Sequence, residues 1–225
     1  MGQHQIIAEI SQALQSSQDP IKAEKMAAYM KDRFPFYGVP APQRTAILRP
    51  IWHKRKPIIK SHIVEITEKL WALPQREYQM IAMELTGKCK SAYTEDNLEH
   101  ISSLITQKSW WDTVDFLAST IIGHILSKDS TLAKRVANEY MQSDNMWQQR
   151  TAILFQLKYK DTVDEELLYR LIVATKGSKE FFINKASGWA LRQYSKYNPH
   201  SVGTFIASNK DWMTNLSIRE GSKYL

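Results

Sequence analysis

Hydrophobic residues recur every three or four positions along the whole chain, and no segment shows the strict alternation of a β-strand. The clearest stripes are Ile6, Ile10 and Leu14; Ile63, Ile66 and Leu70; Tyr78, Ile81 and Leu85; and Leu167, Leu168, Leu171 and Ile172. Each stripe covers one face of an amphipathic helix. The pattern predicts an all-α fold of about a dozen short helices.

Polar residues that favour helix N-termini separate these stripes. They are Asp19, Thr94, Ser109, Asp129, Asp144, Thr162, Ser178 and Ser217. Alternate caps lie in the mid-thirties of residues apart, as from Ser109 to Asp144. This period is typical of stacked antiparallel helix pairs. Because the tetratricopeptide signature is missing, it favours a HEAT-like helical-repeat solenoid with a concave face built from alternate helices.

No linker or low-complexity segment marks a boundary, so we expect residues 1–225 to form a single domain. Pro50 lies within an otherwise helical pattern and is expected to end or kink that helix.

The repeat places particular side chains in equivalent positions. Asp115 lies six residues after the cap Ser109, and Arg150 lies six residues after the cap Asp144. Trp111 precedes Asp115 by one helical turn and shares its face. The helix after Ser178 belongs to the same class and carries Lys185, Trp189 and Arg192. Three successive helices are therefore expected to share a surface of indoles, cations and one carboxylate.

Composition limits the partners, the cellular compartment and the cofactors that are expected for this chain. The formal charge is +7, which suits contact with phosphates without requiring it. Cys89 is the only cysteine, so no internal disulfide is possible, and a buried thiol in the cytoplasm is expected. No signal peptide or membrane-spanning run is recognisable. The six histidines are scattered, so neither a metal nor a cofactor is expected.

Each candidate residue also has an ordinary structural interpretation. Trp111 alone would more often pack in a core, and Asp115 alone would more often be a surface charge or the partner of an arginine such as Arg150. A carboxylate within a basic surface repels DNA, so its presence there requires a catalytic or a structural reason.

Four segments carry a specific resemblance. Residues 108–115, 143–160, 178–183 and 188–192 resemble the AlkD family of bacterial DNA alkylation repair glycosylases, which are built from HEAT-like repeats. The similarity extends from about residue 19 to the C-terminus. It implies an enzyme that hydrolyses the N-glycosidic bond of cationic alkylpurines, of the 3-methyladenine and 7-methylguanine type, in duplex DNA.

The resemblance also implies roles for individual residues. The catalytic carboxylate falls on Asp115, and the two tryptophans that face the lesion fall on Trp111 and Trp189. DNA contact falls on Tyr29, Arg150, Lys158 and Arg192 by the resemblance, and we expect Trp147 and Lys185 to contact DNA as well. Arg150 is expected to contact a phosphate. No lysine stands out as an amine nucleophile, so a monofunctional, monomeric enzyme acting without metal is expected.

Two further hypotheses remain open. A non-catalytic DNA-binding relative would bind duplex DNA with a steep salt dependence but release no base. A protein-interaction scaffold, the common role of helical repeats, would carry apolar residues along the concave stripe. The polar, aromatic and cationic character of the expected surface disfavours the scaffold.

Overall fold

The computed structural model describes residues 2–225, and every regular element within them is helical. This confirms the predicted all-α, helical repeat-like fold, whereas its HEAT-like type stays a prediction. The chain divides into two compact units, one ending at Ala92 and the other running from Tyr93 to Leu225. The expectation of a single domain over residues 1–225 also stays a prediction.

The first unit contains five α-helices followed by a short 3₁₀ turn at Lys90–Ala92. They are α1 (Gly2–Ser16), α2 (Pro20–Tyr29), α3 (Ala41–Ser61), α4 (Ile63–Ala72) and α5 (Arg76–Lys88). The stripes predicted from the sequence on α1, α4 and α5 are all buried, as Ile10, Ile66 and Ile81 illustrate. The cap Asp19 accepts the backbone N–H of Lys22 as expected.

A buried carboxylate fixes the loop between α2 and α3. Glu77, at the start of α5, accepts the backbone N–H groups of Tyr37, Gly38 and Val39 at 3.1, 2.9 and 3.0 Å. Gly38 has φ of +87°, and a Cβ there would collide with the carbonyl of Asp19. The loop therefore needs glycine at this position, and Glu77 satisfies donors that would otherwise be buried without acceptors.

Helix α3 continues through Pro50 and also through Pro57, so it does not end at Pro50. The other expected outcome, a kink at Pro50, stays a prediction. A proline inside a helix costs roughly 3 kcal/mol. The buried face of α3, formed by Leu48, Ile51 and Ile59, gains about 1.5–3 kcal/mol for each side chain. Burial of this face thus outweighs the unfavourable helix propensity of proline.

The second unit consists of short helices that pack pairwise. They are α6 (Leu98–Thr106), α7 (Trp111–Phe116), α8 (Gly123–Leu126), α9 (Ser130–Gln142), α10 (Met146–Leu154), α11 (Glu165–Val173), α12 (Phe181–Tyr194), α13 (Pro199–Asn209) and α14 (Asn215–Gly221). Short 3₁₀ turns at Glu95–Asn97, Lys160–Thr162 and Ser222–Tyr224 join or end them. A π-helical segment, Leu117–Ile122, links α7 to α8 without a break.

Several helix starts differ from the sequence prediction by a few residues. Asp129 caps α9 as predicted, but α7 and α10 begin after Trp110 and Asn145, one residue later than expected. Because both starts move by one, Asp115 and Arg150 still occupy equivalent positions, each five residues after its cap. Helices α11, α12 and α14 are preceded by Asp164, Glu180 and Thr214, instead of by Thr162, Ser178 and Ser217.

Among residues 2–225, no helix combines the length and the apolar character needed to span a bilayer. The described part of the chain also contains no cluster of three or more histidine, cysteine or acidic side chains arranged to hold a metal ion.

Candidate active site

The helix that carries Asp115 changes its hydrogen-bonding pattern directly after that residue. Through the π-helical segment the backbone bonds lengthen to five residues, and the N–H of Gly123 donates to the carbonyl of Ala118. A Cβ on Gly123 would collide with the carbonyl of Phe155, which follows α10. Glycine therefore allows this helix to approach α10 closely. Such π-helical turns occur frequently at functional sites.

Asp115 and Arg150 form a bidentate ion pair between α7 and α10. Nε of Arg150 donates to Oδ1 of Asp115 at 2.7 Å, and Nη2 donates to Oδ2 at 2.8 Å. Nη1 of Arg150 donates to the backbone carbonyl of Phe182 at the start of α12. The guanidinium thus connects the three helices that the sequence register brought together.

Burial differs between the two partners. The Arg150 side chain is 3% exposed, whereas that of Asp115 is 15% exposed, so the carboxylate is the group that solvent can reach. All three guanidinium nitrogens of Arg150 are already engaged within the protein. These bonds use three of the five guanidinium N–H donors, so contact of Arg150 with a phosphate stays a prediction. The alternative noted for Asp115, pairing with Arg150, is what the structure contains.

Opposing effects act on the acidity of Asp115. Burial raises the pKa of its carboxyl above the ordinary value, while the hydrogen bonds and charge of Arg150 lower it, and the nearby charge of Asp112 raises it. The net pKa shift is upward. Desolvation is therefore the dominant influence on this carboxyl.

An aromatic cluster supports the carbonyl that Arg150 uses. Trp110, Trp147 and Phe182 pack with ring centroids 5.0 to 5.8 Å apart. Trp147 was expected to contact DNA, and the structure gives it a packing role in this cluster, so its contact with DNA stays a prediction. Because the cluster fixes the start of α12, it also fixes the third partner of Arg150.

The two tryptophans expected to face the lesion are both half-buried. Trp111 is the first residue of α7, one turn before Asp115. Trp189 lies two turns after Phe182 on α12 and packs against the core of the second unit. Each is therefore partly accessible on a helix that contributes to the Asp115–Arg150 pair. Contact of either indole with a lesion stays a prediction.

Two expected DNA-contacting cations on α12 share one acidic partner. Lys185 and Arg192 bind the two carboxylate oxygens of Glu220 on α14, at 2.8 and 2.9 Å. The hydrogen bond from Lys185, with the charges of Lys185 and Arg192, holds the pKa of Glu220 below its usual value. Gly188 permits this contact, since a Cβ there would lie 2.6 Å from that of Glu220.

Lys158 is exposed and lies beside the helix that carries Asp115. Its Nζ donates to Oγ1 of Thr120 at 2.5 Å and lies 5.7 Å from the ring centre of Phe116. Tyr29, by contrast, belongs to the first unit, where it is 68% exposed. DNA contact by either residue stays a prediction.

Three contributors to this site were missed from the sequence. The carbonyl of Phe182 and the π-helical segment leave no signal in residue types. Glu220 lies three residues after Ser217, the expected cap, which is the position of the acidic residue in a capping box, but Thr214 is the actual cap of α14. The carboxylate of Glu220 is consequently available to Lys185 and Arg192.

Together, the fold and the site define an all-helical repeat-like protein with a partly accessible carboxylate, held by a buried arginine, on helices that also carry indoles and cations. The sequence matches the family model for DNA alkylation repair enzymes over residues 10–225. The chain belongs to this family, which implies DNA as its substrate.

A solved structure agrees with this assignment. A protein described as a predicted DNA alkylation repair enzyme from Enterococcus faecalis superposes with a TM-score of 0.85 at 33% sequence identity. The match covers 92% of this chain and 96% of the other. No curated protein matches the sequence.

Proposed function

We propose that this protein is a monofunctional DNA glycosylase that hydrolyses the N-glycosidic bond of cationic alkylpurines, such as 3-methyladenine and 7-methylguanine, in duplex DNA. One observation carries the proposal: Asp115 is held through both oxygens by Arg150 but remains partly open to solvent. A carboxylate kept in a fixed orientation beside a reaction site is suited to stabilise developing positive charge.

The substrate itself reduces what the protein must supply. An alkylated purine already carries a positive charge, so it leaves with the electron pair of the C1′–N bond as a neutral base. No general acid is needed for that departure. The remaining sugar resembles an oxocarbenium ion, which a nearby carboxylate stabilises electrostatically.

Asp115 retains the capacity for this task despite its pairing. A carboxylate offers about four lone-pair sites, and Arg150 occupies one on each oxygen. The remaining sites can orient a water molecule toward C1′ and accept its proton as the C1′–O bond forms. Arg150 acts through Asp115 in this scheme and is a positioning residue.

The aromatic and cationic side chains complete the proposal. Indole faces attract cations, so Trp111 and Trp189 are suited to hold a positively charged nucleotide. Lys158 is exposed beside α7, and Lys185 and Arg192 lie on the same helix as Trp189, where they are suited to bind backbone phosphates.

Incubation of the protein with methylated duplex DNA tests the proposal, with the released bases separated by chromatography. We expect free 7-methylguanine or 3-methyladenine above the level of spontaneous loss, and no covalent adduct with DNA after borohydride treatment. Binding of duplex DNA without any base release would instead support the alternative, a non-catalytic DNA-binding member of the family.

The rate of base release is expected to fall on mild acidification. Because burial raises the pKa of Asp115, the carboxylate is protonated at a higher pH than an exposed aspartate would be. A raised pKa in the folded state means that protonation of this group favours folding, so its effect on stability runs opposite to its effect on rate. Single-turnover rates against pH, corrected for spontaneous depurination and paired with circular dichroism, check this. A rate that declines only where the protein unfolds would contradict it.

Replacing Glu220 with Gln is expected to strengthen binding to undamaged duplex DNA. The change releases Lys185 and Arg192 from their acidic partner and removes a negative charge from their surroundings. The slope of log K against log salt should steepen by about 0.9 for each cation that becomes able to bind a phosphate. Glu166→Gln, an exposed glutamate on α11, is the charge-matched control. Equal affinities for the two variants would mean that neither α12 cation binds phosphate.

A further inference from the structure

A strongly basic helix in the first unit takes no part in the site described above. Helix α3 carries six lysine and arginine residues and no acidic residue within Ala41–Ser61. Two of these cations, Lys54 and Arg55, share one acidic partner on α1, since both pair with Glu9. Most of the remaining charges face solvent.

The solvent-facing basic residues form one stripe. Arg49, His53, Lys56 and Lys60 follow one another at spacings of four, three and four residues, which places them on a single helical face, and all four are exposed. Trp52 lies at the edge of this stripe and is half-buried.

A lysine from α5 adds to the stripe. Nζ of Lys56 lies 5.9 Å from the ring centre of Trp52, and Nζ of Lys88 lies 5.6 Å from it. Lys60 follows Lys56 by one turn on the same face of α3. Two lysines therefore converge on one indole, and a third lies one helical turn away.

No acidic side chain compensates these lysines. Throughout residues 2–225, no carboxylate lies within 4.0 Å of the ammonium groups of Lys56, Lys60 or Lys88, including that of Glu84 one turn before Lys88. Converging like charges without counter-ions oppose compact folding. A bound polyanion would relieve that repulsion.

We infer that Trp52, Lys56, Lys60 and Lys88 form a phosphate-binding patch for the backbone of duplex DNA. The inference rests on DNA being the substrate of this protein, and it adds a contact surface on the first unit to the site on the second. The exposed stripe of α3 is about 16 Å long over the twelve residues from Arg49 to Lys60, at 1.5 Å a residue. A single strand carries a phosphate about every 3.4 Å of helix axis, so the stripe spans several phosphates.

The surroundings of Trp52 favour binding of duplex DNA over binding of a single strand. Single strands bind where aromatic faces are open for stacking by bases. Two ammonium groups already lie close to the indole of Trp52. The ring attracts these cations and holds them at the surface. The patch is therefore suited to contact a sugar–phosphate backbone without reading its sequence.

Removal of the three lysine charges tests the patch. The variant Lys56→Gln/Lys60→Gln/Lys88→Gln should bind an undamaged duplex more weakly, and its log K against log salt should be shallower by about 0.9 for each phosphate that the patch no longer neutralises. The control Lys22→Gln/Lys54→Gln/Lys134→Gln makes the same change in net charge at lysines that already pair with Asp19, Glu9 and Asp164. Its slope should stay close to that of the unaltered protein.

Each outcome bears on the patch separately from the proposed catalysis. Equal slopes of log K against log salt for the two triple variants would overturn the patch. The patch would also be overturned if the Lys56→Gln/Lys60→Gln/Lys88→Gln variant kept its affinity for duplex DNA but lost binding to anionic phospholipid vesicles or to single-stranded DNA. If the unaltered protein releases no base but the patch variant still binds duplex DNA more weakly, the phosphate-binding patch is supported and the proposed glycosylase activity is contradicted.

Discussion

Asp115→Asn is expected to reduce the single-turnover release of alkylated base by about 100-fold or more, since it removes the charge that stabilises the oxocarbenium-like sugar. The asparagine amide also cannot take a proton from the attacking water. Affinity for undamaged duplex DNA should remain or increase, because a negative charge leaves a basic surface. Quenched single-turnover assays and fluorescence anisotropy give the two quantities.

Stability complicates this variant, because Arg150 is buried and loses the charge that balances its own. An uncompensated buried charge costs about 3–5 kcal/mol. The double variant Asp115→Asn/Arg150→Met removes both charges and should recover part of the free energy of unfolding. If the ion pair were only structural, the double variant would also recover activity; if Asp115 is catalytic, it stays inactive.

Asp112→Asn is the matched control for this experiment. Asp112 lies on the same helix one turn before Asp115 and is also half-buried. Its replacement removes a charge that raises the pKa of Asp115, so activity near neutral pH should be retained. An inactive Asp112→Asn variant that folds normally would contradict the assignment of the carboxylate role to Asp115 alone.

Arg150→Met is expected to have the second-largest effect, lowering the free energy of unfolding by about 3–5 kcal/mol as the buried Asp115 carboxylate loses its partner. Base release should slow, because Asp115 is no longer held through both oxygens. Loss of Arg150 also removes the main influence that lowers the pKa of Asp115, so the acidic limb of the rate profile should move to higher pH. Urea unfolding and the rate profile measure these effects.

The same variant separates a positioning role from direct binding of a phosphate. If Arg150 positions Asp115, duplex affinity and its salt slope should change little at permissive temperature, while the rate falls. If Arg150 binds phosphate, affinity should fall and the slope should drop by about 0.9. Lys158→Gln supplies the comparison, since exposed Lys158 is expected to lose affinity and slope with little effect on the rate at saturation.

The contrast between Arg150 and Glu220 shows how far residue spacing in the sequence can predict the partners of a side chain. The helical register placed Asp115 and Arg150 at equivalent positions of successive helices, and that equivalence persisted although both helix starts moved by one residue. The register could not decide whether the guanidinium would face solvent or the carboxylate. For Glu220, a plausible capping pattern at Ser217 concealed its pairing with two cations on another helix.

The amino-acid sequence by itself determined the all-helical architecture, the buried stripes and the family, because helical periodicity and long motifs are local properties that survive small errors in helix boundaries. Only the tertiary structure decided that α3 continues through Pro50, that Arg150 serves Asp115 and the Phe182 carbonyl, and that Trp147 packs within an aromatic cluster. These outcomes depend on which helices pack together and on how much water each charge loses. Desolvation and packing arise between segments distant in sequence, so residue spacing does not encode them.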